Sequence, residues 1–249
     1  MIEMVEIYDK YCEEKSIEKS LQNKKLPYKH RMSGCGSCFL KHIFAEMEAE
    51  GEFEDLPPSS SPVLRLGDIV HEDLQEAYLQ RYSNDMVVKE YKVERKYERG
   101  HIDILHYNED TITIIDFKTC NSWKWSKLFG HKKNREANSD FNYKMQIGSY
   151  GLAIKEAEPD KKIVLKLIYY NKDNSRIRTV IVDNSFIDKA ELYWEDLKMI
   201  KDTFDISQIA PGIHFGVPAF EWECSTTYCR YGKHGICHSS LLDKKVAKK

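Results

Sequence analysis

Leu66, Ile69, Val70, Leu74, Ala77 and Tyr78 recur three and four residues apart, which predicts a helix over about 65–82. Upstream, residues 2–24 read as a charged, weakly amphipathic helix, and Phe39 to Glu50 has a helical pattern. The stretch from Gly51 to Pro62, with Pro57-Pro58-Ser59-Ser60-Ser61-Pro62 inside it, breaks that pattern as a loop. Three strand-like runs follow: Val87 to Tyr97, His101 to Tyr107 and Thr111 to Lys118, the last two joined by a turn at Asn108-Glu109-Asp110. Residues 119–138 are polar, aromatic and lysine-rich, and are expected to form a loop. A helix over about 140–157 carries Tyr143, Ile147, Tyr150 and Ile154 on one side. Lys162 to Tyr170 and Ile177 to Val182 form a second hairpin, and a last helix starts at Asn184-Ser185 with Phe186, Ala190, Tyr193, Leu197 and Ile200 on its buried face. This order implies a mixed α/β (α+β) fold, a mixed central sheet flanked by helices.

Composition narrows the class. The chain has 249 residues, 41% hydrophobic and 31% charged, which describes a soluble globular protein of one large or two small domains. No run approaches the roughly 20 apolar residues that span a bilayer, and Met1 to Lys10 has no apolar signal region, so a cytoplasmic location away from membranes is expected. A net charge of −2 gives no overall attraction for nucleic acid, so phosphate binding would need local basic patches. Lys124, Lys127, Lys132, Lys133 and Arg135 form one; the lysines of 244–249 read as a solvated end.

The candidate chemistry centres on Ile114-Ile115-Asp116-Phe117-Lys118. Side chains alternate along a strand, so Asp116 and Lys118 share one face. A carboxylate that holds a divalent metal and a lysine that orients or deprotonates water suit phosphodiester hydrolysis. Asp-x-Lys alone is weak, because strands often carry alternating charges. A tight turn at 108–110 would place Asp103 opposite Asp116 or one residue off, and two carboxylates that close repel unless a cation lies between them. His71, on the helix face shared with Leu74 and Tyr78, is a third candidate ligand; a lone helix histidine is more often structural. Imidazole with two carboxylates suits manganese as well as magnesium. Gln146 and Tyr150, four apart, share a helix face. Blandly they are a surface amide and a core aromatic; functionally, Gln146 contacts the lysine or DNA and Tyr150 meets the substrate backbone.

Gly67-Asp68-Ile69-Val70-His71-Glu72, Gly100-His101-Ile102-Asp103, Ile115-Asp116-Phe117-Lys118-Thr119 and Gln146-Ile147-Gly148-Ser149-Tyr150 resemble the motifs of RecB-like PD-(D/E)XK nucleases in their usual order, covering about 33–240. The resemblance implies a restriction-endonuclease-like core over 63–204 within a single 1–249 nuclease domain. It implies that His71, Asp103, Asp116 and the backbone carbonyl of Phe117 ligate Mn2+ or Mg2+, that Lys118 serves the water, and that Gln146 belongs to the catalytic set. Glu94 is either an outer-sphere acid or a surface charge.

Seven cysteines in a chain with no export signal point to metal rather than disulfides where they cluster, at Cys35 and Cys38 and at Cys224, Cys229 and Cys237. Cys12 and Cys120 read as small hydrophobes. Further resemblance, to the branch holding CRISPR-associated exonucleases, the AddB nuclease domain and the exonuclease five family, implies a [4Fe–4S] cluster on Cys38, Cys224, Cys229 and Cys237. Cys35 is the alternative to Cys38. The Cys-x4-Cys-x7-Cys spacing is wider than that branch usually shows, which keeps Zn2+ open, with His234 or His238 able to replace a thiolate. The metal would staple 31–50 to 205–240 as a small cap.

Trp123 and Trp125, with Lys124 and Lys127, offer stacking and phosphate contacts that favour single strands or frayed ends; buried anchors are the alternative for the tryptophans. Without a Gly-x4-Gly-Lys-Ser/Thr phosphate loop the chain has no motor, so strand separation would fall to a helicase or integrase-type partner or to fraying. The expectation is a metal-dependent DNA exonuclease, able to oligomerise, in recombination, repair, replication or CRISPR spacer processing. A non-catalytic metal-stapled DNA-binding or scaffold subunit is the rival, and a site-specific endonuclease is a second.

Overall fold

Among the described residues, the branched and aromatic runs of the sequence assemble one six-stranded sheet. The computed structural model describes residues 4–24, 26–53, 56, 62–203 and 229–237. Its strands are β1 (His30–Arg31), β2 (Met86–Glu94), β3 (Glu98–Tyr107), β4 (Thr111–Cys120), β5 (Lys162–Asn171) and β6 (Ile177–Val182). The helices are α1 (Met4–Lys24), α2 (Phe39–Glu50), α3 (Pro62–Arg81), α4 (Ser122–Phe129), α5 (Phe141–Ala157), α6 (Ser185–Thr203) and the short α7 (Arg230–Lys233). The sheet runs β1-β3-β4-β5-β6, with β2 also on β3. All neighbours are antiparallel except β1 with β3 and β4 with β5. A parallel pair needs a crossover, and α5 supplies it between β4 and β5. The mixed sheet and its flanking helices agree with the restriction-endonuclease-like expectation.

β4 reads as a continuous apolar run because both its faces are covered. Ile112 and Ile114 join the core under α5, while Ile115 and Phe117 pack with Ile104, Leu74 and Tyr78 under α3. α5 is buried all round from Met145 to Ile154, as a helix between a sheet and a second helix must be. Its crossing with α6 needs glycine: a Cβ on Gly148 would lie 2.2 Å from the Phe186 carbonyl oxygen. On α6 the buried face is Ile187, Ala190, Trp194 and Leu197, with Phe186, Tyr193 and Ile200 at its margin rather than its centre.

The expected loop over 119–138 is instead largely helical. Asn121 caps α4 by accepting a hydrogen bond from the Lys124 N–H at 2.8 Å. Trp125 and Phe129, one turn apart, pack at 4.9 Å between ring centroids. A 3₁₀ turn, Lys132–Asn134, follows. A polar composition concealed a short helix whose apolar side chains are three and four apart. β1 was also not foreseen; two residues carry no periodicity to read.

Behind α6, His30 and His42 lie in T-shaped contact at 5.4 Å, each against Trp194. His42 Nε2 is 3.0 Å from the Gly34 carbonyl oxygen. Burial, and then the charge of Lys201, lower His30 to about 4; burial, and then His30, lower His42 to about 4. Both bind protons more readily unfolded, so stability is full above the ordinary histidine range and falls as pH drops from about 6.5 toward 4, each group adding at most about 1.4 kcal/mol per pH unit. The difference between wild type and His42→Gln in urea unfolding at pH 7 and pH 5 reads this contribution apart from other titrating groups, and the variant should lose less stability than wild type on going to pH 5. An unchanged slope in the variant would remove His42 from the effect.

Candidate active site

β3 and β4 pair from Tyr107↔Ile112 to Ile104↔Ile115, and there the ladder ends. The next position sets Asp103 across from Asp116. Instead of continuing the ladder, Asp103 turns its carboxylate onto β4, where Oδ2 accepts a hydrogen bond from the Phe117 N–H at 2.6 Å. Acidic side chains therefore occupy the gap where the two strands part.

Asp116 and Lys118 share the α5 face, as strand alternation requires. Lys118 Nζ lies 2.7 Å from Asp116 Oδ2 and donates to Gln146 Oε1 at 2.8 Å. Gln146 Nε2 donates to Asp116 Oδ1 at 3.1 Å and to Tyr150 OH at 2.9 Å. The amide thus bridges the ion pair, its oxygen toward the ammonium and its nitrogen toward the carboxylate and phenol. Lys118 Nζ also lies 4.9 Å over the Tyr143 ring. Tyr150 can approach because residue 100 is glycine; a Cβ there would lie 2.6 Å from its ring.

His71 enters from the α3 side, its Nδ1 3.8 Å from Asp103 Oδ2 and its ring 6.2 Å from that of Phe117. Burial lowers its affinity for a proton, which favours the neutral imidazole that a metal needs. Burial, and next the charge of Asp116, push Asp103 well above the usual carboxylate range. Asp116 Oδ2 is buried and, although Lys118 is near, accepts no hydrogen bond. A buried and a half-buried carboxylate, a buried oxygen that accepts no hydrogen bond and a neutral imidazole are a donor set that a small divalent cation fits. Among the described residues no three His, Cys, Asp or Glu side chains already close on one point.

The structure brings His71, Asp103, Asp116, Lys118, Gln146 and Tyr150 to one place. It separates the two tryptophans of α4. Trp123 is 66% exposed, with Lys127 Nζ 5.5 Å over its ring, whereas Trp125 is packed against the core and Phe129. Lys124 is turned inward: it donates to the Ser139 carbonyl and lies 5.8 Å over Tyr143, stapling α4 to the start of α5. Glu94 is a surface charge, exposed and 2.9 Å from Lys29. Two residues that sequence reasoning passed over stand beside the centre. Gln75 is the only buried side chain of α3, and it donates to Glu90 on β2 at 2.6 Å. The four-residue step from His71 to Gln75 was the available signal.

With this geometry in view, the family model for the PD-(D/E)XK nuclease superfamily matches residues 40–238. The chain belongs to that superfamily. The fold is shared with the crystal structure of SSO0001, at 19% identity over 94% of this chain and 98% of that one, with a TM-score of 0.55. The chain is also similar to a phage related exonuclease from Haemophilus somnus 129PT, at 18% identity over 76% of this chain and 100% of that one, with a TM-score of 0.49. An alkaline exonuclease from Laribacter hongkongensis matches at 11% identity over 70% of this chain and 88% of that one, with a TM-score of 0.47. No curated protein matches in sequence.

The cysteines of this superfamily member divide as sharply as its tryptophans. Cys38, Cys229 and Cys237 line one small cavity with Leu40, Lys41, Phe44 and Tyr231. Cys35 is fully buried elsewhere, hydrogen-bonded to the Ser149 side chain, and its thiol is pushed up by burial. Cys224 and His238 lie outside the described residues. Cys12 and Cys120 are buried, as small hydrophobes would be. None of the described cysteines is in a disulfide. The segment from 229 docks on α2, with Arg230 Nη2 2.5 Å from Glu48 Oε1 and Tyr231 5.3 Å from Phe44 between ring centroids. Among the described residues, no helix is long and apolar enough to cross a membrane.

Proposed function

We propose that the chain is a metal-dependent DNA exonuclease. The observation that carries this reading is the network of Lys118, Asp116, Gln146 and Tyr150 facing Asp103 and His71 across the gap between β3 and β4. Asp103, Asp116, His71 and the Phe117 carbonyl would hold Mn2+ or Mg2+, which supplies charge neutralisation at the scissile phosphate and a more acidic water. The chain's own part is positioning. Gln146 fixes the Lys118 ammonium within reach of a water or a phosphate oxygen, and burial keeps that ammonium strongly felt. Lys118 Nζ orients the attacking water as the new P–O bond forms and the old one breaks, the water's proton passing to solvent and the leaving oxygen taking one up, and Tyr150 OH, held by Gln146, borders the same space.

Cys38, Cys229 and Cys237, with Cys224, would hold a [4Fe–4S] cluster, with Zn2+ as the alternative on the same thiols. Three thiols on one cavity and a fourth nearby in sequence support that donor set, with Cys38 rather than Cys35 as the first ligand. The cluster's role is structural, closing 31–50 and 205–240 into a cap on the 63–204 core.

Single-stranded or frayed DNA suits the exposed Trp123 ring beside Lys127, because every base has a face to stack. Trp123→Ala is expected to weaken single-strand binding by about tenfold and duplex binding less. Trp125→Ala should instead lower the melting temperature. Fluorescence anisotropy on both DNA forms checks this, and equal losses on the two would assign Trp123 to packing. In the cell, a cytoplasmic helicase or integrase-type partner would supply open strands.

The reading is tested by digesting end-labelled DNA with and without Mn2+ or Mg2+, using protein purified without oxygen or chelator. Metal-dependent shortening from one end is expected. Intact DNA, bound but uncut, would favour a scaffold subunit.

A further inference from the structure

α3 is a 20-residue helix whose only buried side chain is an amide, Gln75. Apolar residues of the same helix, among them Leu66 and Ile69, stay exposed at 45% and 46%. Burying an amide is costly unless it is hydrogen-bonded, and Gln75 Nε2 finds Glu90 Oε1 at 2.6 Å. Glu90 reaches it from an unusual backbone. Its φ is +51° in the middle of β2, a left-handed conformation costing a non-glycine residue on the order of 1 kcal/mol. The β2–β3 ladder pairs Lys89 with Ile104 and Tyr91 with Ile102, and the position it skips faces Glu90 across to Asp103.

One distortion therefore aims a carboxylate from the sheet toward the helix at the level of the active site. Gln75 lies one turn after His71 and so on the same face of α3. The Glu90 charge falls within reach of Asp103, His71 and Tyr150.

We propose that Gln75 and Glu90 are positioning residues of the cation site, Gln75 holding the Glu90 carboxylate beside Asp103 and fixing the turn of α3 that presents His71. Glu90 adds negative charge next to the two carboxylates without being a ligand, so it raises affinity for a divalent cation. The bond from Gln75 sets the distance at which that charge acts and ties the His71 turn to β2. This gives a role to a strained glutamate and a buried glutamine that stand where two apolar side chains would pack at lower cost. The inference rests on the reading that His71, Asp103 and Asp116 hold a cation.

Titration calorimetry with MnCl2, on protein carrying its cysteine-bound metal and without DNA, tests it. Glu90→Gln keeps an acceptor for Gln75 and removes only the charge; Gln75→Leu removes the bond at similar volume. Glu90→Gln is expected to weaken manganese binding about fivefold to tenfold, as loss of one nearby charge in a partly solvated site would, with an unchanged melting temperature. Gln75→Leu is expected to weaken it at least as much. Wild type that binds manganese while both variants bind equally well would overturn this inference and leave the cation site standing. Wild type that binds none would overturn both. Should Gln75→Leu fail to fold, Glu90→Gln alone decides.

Discussion

Lys118→Ala is expected to lower the rate of DNA cleavage by on the order of 1,000-fold or more, while the fold persists. The size follows from where the ammonium stands: 14% exposed, 2.7 Å from Asp116 and 2.8 Å from Gln146, above the ring of Tyr143. No other described cation pairs with Asp116, so none can take over its proton or its charge. The variant has a second signature. Removing Lys118 leaves Asp116 buried beside Asp103 without its counter-ion, a situation that costs several kcal/mol where it is complete. The metal-free variant should therefore melt below wild type, and added Mn2+ should recover most of the loss. Gel analysis of labelled DNA reads the first effect and thermal melts with and without Mn2+ read the second. Normal cleavage by Lys118→Ala would sink the assignment of the centre.

The second large effect is expected at Cys229. Cys229→Ala should lose the cysteine-bound metal and much of the protein's stability, since that metal would join segments nearly 200 residues apart and restrain a long loop in the unfolded chain. Cys35→Ala, in contrast, should keep the metal, because Cys35 faces Ser149 away from the cavity lined by Cys38, Cys229 and Cys237. Iron, sulfide and zinc content of the purified variants, with the absorbance of an iron–sulfur cluster, separate the possibilities. Full metal in Cys229→Ala, or its loss in Cys35→Ala, would overturn the ligand set. Zinc without sulfide would keep the thiolates and change the cofactor.

Much of the site was legible because its residues lie on regular elements. Period 2 puts Asp116 with Lys118, and period 3.6 puts Gln146 with Tyr150; neither depends on the rest of the molecule. The tight 108–110 turn carries the β3–β4 register, which sets Asp103 opposite Asp116. The failures have equally local causes. Trp125 and Trp123 look alike as letters, and only the folding of 122–129 into α4 turns one inward and leaves the other exposed. Glu94 and Glu90 are both glutamates on one strand. Glu94 meets Lys29 at the surface, and Glu90, through its positive φ, turns to the buried amide of α3.

The sequence by itself determined the order of elements, the pairing of carboxylate with lysine on one strand face and the grouping of cysteines, because each is set by spacing along a single segment. Only the tertiary structure decided what depends on two segments meeting. That α3 and α5 approach the parted strands from opposite faces, so that His71 and Gln146 bracket the same carboxylates, follows from the covering of both faces of β4. Which cysteines share a cavity follows from the docking of 229–237 on α2. The physical reason is the same in each case. Periodicity records which side of its own element a residue occupies, whereas the neighbour on that side is chosen by packing among elements far apart in the chain.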